Sequence, residues 1–335
     1  MSIRNEVLHL LMSQAESPIS GPVMAEKLEV SRNTIWKAIN QLKEEGHVIH
    51  AYPQKGYQLE AFTSALDARL IRQLLADNFS EWQIETYDSV TSTNDLARAH
   101  LIDHPEQPIL IASNEQTEGR GRRGRQFYSQ LNQGLYFSIG FQPSNMSFEE
   151  MSIYSILSVT AIVQALEKYL DKKMSIKWVN DIFYKGKKVS GILSEVVTDL
   201  ESGGVPNIII GIGLNLTGDF DHADPEVKKV AGTIFDKDLP KNFNQNQLLA
   251  DFLHHFLTYN KDLNEKTFLS DYKSRLLGLD KAVYYTESGE MKTGIIRDLD
   301  SKGRLIVERP SGKRDTLIGQ EIHFSSQQFI KQEEN

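Results

Sequence analysis

Glu118-Gly-Arg-Gly-Arg-Arg-Gly-Arg125 alternates glycine with arginine inside a chain that is otherwise acidic. Glycine lets the backbone approach a polyanion and adopt φ > 0, and each guanidinium offers a planar fork of donors matched to phosphate oxygens. By itself the stretch reads equally as a cradle for nucleotide phosphates or as a nucleic-acid-binding Arg/Gly segment, so its surroundings decide. The chain's 335 residues exceed what one compact core holds and predict two or three domains. A hydrophobic fraction of 40% and a charged fraction of 24% are those of a soluble globular protein. No window reaches the roughly 18–20 apolar residues of a membrane span. Met1-Ser-Ile-Arg-Asn-Glu6 lacks the apolar core of a signal peptide, and the absence of cysteine excludes disulfides, thiolate catalysis and Cys-type metal sites. A cytoplasmic enzyme or regulator is expected. With a net charge of -8, any DNA contact must come from a local patch.

Upstream, Ile3, Val7, Leu10 and Leu11 fall at helical spacing, and Ser17-Pro18 ends that helix. Pro22 opens a second helix with Ala25 and Leu28 inward; Glu29-Val30-Ser31 forms the turn, and Ser31 is the expected N-cap of a third. In the third helix Ile35, Ala38, Ile39 and Leu42 make the buried stripe, leaving Arg32, Asn33, Thr34, Trp36, Lys37 and Gln41 outward. Those are residue types that contact bases and phosphates. Gly46, a strand from His47 to Tyr52, the turn Pro53-Gln54-Lys55-Gly56 and a strand from Tyr57 to Glu60 complete a winged helix-turn-helix with Lys55 in its wing. A small helical domain for protein contact is the alternative, since residues 1–63 hold six Lys or Arg against seven acids. Residues 31–43, however, carry Arg32, Lys37 and Lys43 without an acid, the local stripe of a recognition helix. One weakly charged module binds DNA poorly, so a dimer on adjacent half-sites is expected.

Ala61-Phe62-Thr63-Ser64 reads as a linker, which places a DNA-binding domain at 1–63. Residues 64–277 mix periods: a helix at Leu66–Leu75, strands at Ile84–Tyr87, Ile109–Ala112, Leu135–Phe141, Ser175–Trp178 and Asn207–Ile212, and a long helix from Phe148 to about Tyr169. That is a mixed α/β domain in an α+β multidomain chain. Residues 278–335 change to short strands, Ala282–Thr286, Lys292–Leu299, Gly303–Glu308 and Thr316–Ile318, which predict a small C-terminal β-barrel.

Within the large domain, Ser92-Thr93-Asn94 opens a helix and would by itself be read as simple capping. Lys177-Trp-Val-Asn-Asp181 ends a strand in an Asn-Asp turn, and Lys187-Lys188-Val-Ser-Gly191-Ile-Leu-Ser-Glu195 sets a lysine ahead of an apolar hairpin strand. Gly211-Ile-Gly-Leu-Asn215 is a tight strand exit. Taken in order with Gln116 and Gly119-Arg-Gly-Arg-Arg-Gly-Arg125, these segments resemble the biotin protein ligase family, and the amino-terminal winged helix resembles that of its bifunctional members, which also repress the biotin operon. The likeness covers nearly the whole chain. It departs from the family at Phe127-Tyr128, where many members place a tryptophan first, and at Val179, which replaces a common proline.

The resemblance implies a biotin/lipoate-ligase-like catalytic domain, an SH3-like C-terminal barrel, and two-step acyl transfer: biotin and MgATP give biotinyl-5′-AMP, and a carrier-protein lysine then attacks it. Carriers would be the biotin carboxyl carrier proteins of acetyl-CoA or pyruvate carboxylase type; operator DNA and a second copy of the adenylate-bound chain are the other partners implied. Lys188, Arg120 and Arg122 become the catalytic cations, with Arg125 adding charge, because charge growing on phosphoryl oxygens is met by preorganised cations. Ser92, Thr93, Asn94, Gln116, Gly119, Gly121, Gly191 and Asn215 join them around biotin and adenylate, hydroxyl and amide groups answering the ureido ring. The Gly/Arg loop would order over the adenylate and exclude water. Asp181 would assist metal or the incoming amine, residues 217–233 would close on adenine, and Phe127 and Phe220 would stack. Magnesium would come with ATP, with no resident metal site. The competing readings are a lipoate or octanoate transferase and a pure ligand-sensing transcription factor, the second of which has no use for Arg120, Arg122 and Lys188 together.

Overall fold

The computed structural model describes residues 3–14, 17–61, 65–75, 79–143, 151–197, 206–221, 223–240, 243–287, 289–318 and 322–324. It opens with helices α1 (Ile3–Ser13), α2 (Gly21–Lys27) and α3 (Arg32–Glu44), then the hairpin β1 (Val48–Tyr52) and β2 (Gly56–Ala61). Ser20 and Ser31 start the second and third helices by accepting Val23 N at 3.4 Å and Thr34 N at 3.1 Å, and Pro22 sits in the first turn, where no helical donor is needed. Val7, Leu8, Leu11, Met24, Ile35, Ile39 and Leu42 form their core. The inner stripe of α1 is Arg4, Val7, Leu8 and Leu11, so Leu10 is only half-buried. An apolar-only reading of the helix skips Arg4, whose buried guanidinium pairs with Glu45 beyond α3.

Phe62, Thr63 and Ser64 of the expected linker lie outside the described residues. Beyond them, α4 (Ala68–Leu75) lends Leu70 to the amino-terminal core. Arg4 also lies 3.8 Å from Asp67, and Gln73 Nε2 donates to Asn5 O at 3.2 Å. The helix-turn-helix unit is therefore seated directly on the next.

That next unit is a seven-stranded sheet in the order β3-β4-β5-β9-β8-β7-β6, built from β3 (Gln83–Tyr87), β4 (Ile109–Ser113), β5 (Gly134–Phe141), β6 (Ser175–Lys177), β7 (Asp181–Tyr184), β8 (Lys187–Val197) and β9 (Asn207–Asn215). Only the β3–β4 pair is parallel. Helix α5 (Thr93–Asp103) packs its Ala97 and Leu101 on Ile109, Ile111 and Ile209. On the opposite face α6 (Met151–Glu167) and α8 (Gln245–Lys261) cover Leu110, Phe137, Ile139, Ile208, Ile210 and Ile212. Both faces are covered, so the central strands are buried throughout and hide their alternation. Phe148, the expected start of α6, lies outside the described residues. Helix α8 is absent from the sequence reading, although Asn244 caps it and Leu248, Leu249, Phe252, Leu253 and Phe256 keep its spacing.

After the short helices α7 (Pro225–Val230) and α9 (Phe268–Ser274), the chain ends in a five-stranded antiparallel sheet, β10 (Ala282–Glu287), β11 (Glu290–Leu299), β12 (Leu305–Glu308), β13 (Arg314–Leu317) and β14 (Ile322–Phe324), ordered β13-β12-β11-β10-β14. Among the described residues this sheet is open: β13 and β14 are its two edges and do not pair. Val283, Tyr285, Ile296, Leu305 and Val307 belong to the same core as the central domain. Trp178 Nε1 donates to Gly303 O at 3.0 Å.

Asn246 is fully buried at the start of α8; its Oδ1 accepts Asp67 N at 2.8 Å and its Nδ2 donates to Ala65 O at 2.8 Å. Asn246→Ala removes both bonds from the connection between the first two units and is expected to cost about 1–3 kcal/mol, read as a lower urea midpoint.

Candidate active site

The site is built on a strip of glycines. In β9, Ile208, Ile210, Ile212 and Leu214 enter the main core, which turns Gly211, Gly213 and Asn215 to the other face. Gly191 of β8 lies opposite Gly213 in register. A Cβ on Gly213 would fall 2.4 Å from the ring of Phe127, and one on Gly211 would fall 2.0 Å from Asn94 Oδ1. Without these glycines neither the ring nor the amide could lie flat on the sheet.

Over this floor opens a cavity of about 790 Å³, within the range of small-molecule sites. Every ligand-site residue expected from the sequence lines it except Gly119. Gly119 sits behind the loop, where a Cβ would press within 2.6 Å of Ser129 Oγ and 2.7 Å of Phe127 O. Arg32, Asn33, Trp36, Lys37 and Lys55 lie apart, exposed on α3 and the hairpin, with Thr34 half-buried among them.

At one end of the cavity the polar groups are neutral and nearly buried. Ser92 caps α5, Thr93 N donates to Gln116 Oε1 at 2.9 Å, and Thr93 Oγ1 is 3.1 Å from the same oxygen. Ser138 Oγ lies 2.7 Å from Thr93 Oγ1 and 2.6 Å from Asn94 Oδ1. Asn94 Nδ2 donates to Glu195 Oε2 at 2.6 Å, and Arg98 pairs with Glu195 at 3.1 Å. Capping explains Ser92 but not this set.

The other end is cationic. Lys188 Nζ lies 2.6 Å and Lys177 Nζ 3.5 Å from the carboxylate of Asp181. Burial opposes ionisation of Asp181, yet the two lysines hold its pKa down to about 2. Burial also lowers the pKa of Lys177, with Asp181 opposing and Lys188 adding to the shift, and burial lowers that of Arg122. Lys177 and Lys188 share the Asp181 carboxylate, and the charge of Arg122 acts on it as well, a cluster of cations that favours an anionic guest.

The Gly/Arg loop is a narrow hairpin, closed by Phe127 N donating to Gly119 O at 2.9 Å and Gly121 N to Arg125 O at 2.7 Å. Its tip is a 3-10 turn at Arg122–Gly124, where Arg122 Nη1 donates to Asn180 Oδ1 at 3.1 Å. Arg120 places both terminal nitrogens on the carboxylate of Asp95. Its charge is thus committed at the loop base, while Arg122 and Lys177 stand with Lys188. Lys177 was visible in the sequence as the first residue of the Lys177–Asp181 motif, without a role of its own, and the structure buries it beside Asp181. Ser138 was legible as the one small polar side chain in the run Leu135–Phe141. Asp95 gave no signal beyond helix capping.

At the cationic end, Gly232 N donates to Lys188 O at 2.9 Å and Asn215 Nδ2 donates to Gly232 O at 3.1 Å, strapping the segment after α7 across the sheet. Val227, Val230 and Phe220 line the cavity there, an apolar surface suited to a flat base. Phe220 sits beside Tyr128 at 6.3 Å between ring centroids, whereas Phe127 lies on the glycine strip.

A mixed sheet with a Gly/Arg hairpin over a glycine floor places the chain among ligases, as the comparisons show. Residues 86–215 match the model of the biotin/lipoate A/B protein ligase family and residues 4–58 match that of an HTH domain. The chain is 30% identical over 233 residues to the bifunctional ligase/repressor BirA of Bacillus spizizenii, covering 70% of this chain and 71% of that protein. It is 27% identical to the protein of the same name from Escherichia coli over 311 residues, covering 92% and 93%. The biotin protein ligase of Aquifex aeolicus, solved in complex with biotin and ATP, superposes with a TM-score of 0.59 at 26% identity over 72% of this chain and 99% of that one. The chain belongs to the biotin/lipoate A/B protein ligase family.

Asp181, with its pKa depressed, contributes stability that is present above about pH 4 and lost as the pH falls towards 2. Asp181→Asn leaves Lys177 and Lys188 facing each other without a counter-charge. The melting temperature at pH 7 is expected to fall, the gap to wild type to narrow on acidification, and Lys177→Met added to it to recover part of the loss.

Proposed function

We propose that this chain is an ATP-dependent biotin protein ligase that also represses transcription of biotin genes in response to biotinyl-5′-AMP. One observation carries the reading: a single cavity joins a neutral, hydrogen-bonding end at Thr93 and Gln116 to a cationic end at Arg122, Lys177 and Lys188. That layout suits a molecule with an uncharged polar head and a carboxylate that meets a phosphate.

In the first step the biotin carboxylate attacks the α-phosphorus of ATP, and the bond to pyrophosphate breaks. Lys188 and Arg122 draw the two anions together and stabilise the charge on the phosphoryl oxygens, with Lys177 beside them. Magnesium enters with ATP. In the second step an uncharged lysine of a biotin carboxyl carrier protein attacks the acyl carbon and AMP leaves. Arg120, through Asp95, holds the loop base, so that the tip with Arg122 covers the adenylate and keeps water out. Ser92, Thr93, Asn94 and Gln116 serve the biotin head, Gly191 and Asn215 the floor, and residues 217–233 the adenine end.

The helix-turn-helix would read operator DNA through Arg32, Asn33, Thr34, Trp36 and Lys37, with Lys55 in the wing on the phosphates. Trp36 is 54% exposed on a helix whose opposite face is core, which is costly unless a partner covers it. We take 1–63, 64–277 and 278–335 as the three units, and the last as an SH3-like barrel, because its final short strand returns beside its first. No helix among the described residues is long and apolar enough to cross a membrane; the substrates place the protein in the cytoplasm.

Biotin-dependent ATP–pyrophosphate exchange is the direct test. Lys188→Ala is expected to lose about 100- to 1,000-fold in rate, and exchange at full rate in that variant would remove Lys188 from its role. Lys37→Ala is expected to weaken operator binding and lower its salt slope by about one. Sedimentation is expected to show tighter self-association with biotinyl-AMP than without it.

A further inference from the structure

We propose that Gly232 is a positioning residue for Lys188: the backbone at 231–232 stands in for a missing strand beside a β-bulge and holds that lysine in the cavity. This rests on the ligase reading above and ties the segment at the adenine end to the cation that meets the phosphate.

A regular strand would not aim Lys188 at the ligand. Gly191 faces the cavity opposite Gly213, so alternation along β8 would give that face to Val189 and Lys187 and turn Lys188 into the core with Ser190 and Ile192. The pairing with β7 slips instead. Ser190 lies opposite Ile182 and Lys188 opposite Phe183, which leaves Val189 as the extra residue of a bulge. Val189 and Ser190 are both buried, Val189 within the main core, and Lys188 emerges beside Gly191 among the residues that line the cavity.

The bulge also takes Lys188 past the end of β9, whose pairing with β8 stops at Leu214 opposite Ser190. The segment after α7 takes the flank that β9 leaves. Ala231 pairs with Lys188 as a parallel bridge, Gly232 N donates to Lys188 O at 2.9 Å, and Asn215 Nδ2 donates to Gly232 O at 3.1 Å. Both backbone polar groups of Gly232 are thus committed. A Cβ there would fall 2.4 Å from Lys187 Cβ and 3.0 Å from its Cγ, atoms too near the backbone to swing aside. Lys187 Nζ, donating to Lys229 O at 3.1 Å, ties the same two segments a second time. Displacing the segment would leave the backbone of Lys188 held on the β7 side alone.

The test is biotin-dependent ATP–pyrophosphate exchange by the full chain, with kcat and KM read separately. Gly232→Ala is expected to lower kcat about 10- to 100-fold, and adding Lys187→Gly, which removes the atoms in the way, is expected to restore most of it. In a Lys188→Ala background Gly232→Ala is expected to cost nothing further in kcat, because the residue it positions is gone. If Gly232→Ala does not fold, an ester in place of the Gly232 amide removes the donor without adding an atom and is read in the same way. A wild-type kcat in the folded variant, a rise in the KM for ATP alone, or a full further loss on top of Lys188→Ala would each overturn the inference and leave the ligase reading standing. Wild type without biotin-dependent exchange would overturn both.

Discussion

The site depends on the register of β8 against β9, because a shift by one residue would exchange Gly211 and Gly213 for Ile210 and Ile212 or for Ile212 and Leu214 and close the floor. The isoleucines hold the register from the far side, where Ile208, Ile210 and Ile212 pack into the largest core of the molecule. Core packing and ligand floor are two faces of one alternation. The same strip receives Phe127 from the loop and Asn94 from α5, so two separate segments converge on a surface that has no side chains of its own at two positions.

Charge is arranged around that surface with economy. Asp181 restrains Lys177 and Lys188, and Asn180 receives Arg122 from the loop tip. These partners are modest acceptors beside a triphosphate, so they keep the cations in place without binding them beyond exchange. Arg120 is different, since both its terminal nitrogens engage Asp95 in a two-point contact at the loop base. Arg120 thus anchors the loop base, while Arg122 sits at the tip facing Asn180.

Much of this was legible in the chain. The helical stripe of α3 and its Ser31 cap follow from spacing and cap chemistry, and the order of short motifs marked the family before any contact was seen. What escaped notice did so for physical reasons. Strands covered on both faces show no polar alternation, so the end of β9 at Asn215 was placed too early. Helix α8 lay in a stretch without a motif and went unread despite its periodic apolar residues. The contacts of Ser138 join β5 to the start of α5, which no local pattern encodes, and the separate partners of Arg120 and Arg122 depend on which carboxylate or amide lies within reach. The C-terminal sheet fits the small barrel that strand spacing suggested, although among the described residues it is open between β13 and β14.

The seat of the helix-turn-helix on α4 bears on how operators are measured. Leu70 enters its core, Arg4 reaches Asp67, and Gln73 holds the backbone of α1. A reading head clamped in this way does not swing on a tether. In a dimer, the distance and helical phase between the two recognition helices would be properties of the paired ligase bodies, and spacer changes in an operator would be felt as torsion in the enzyme.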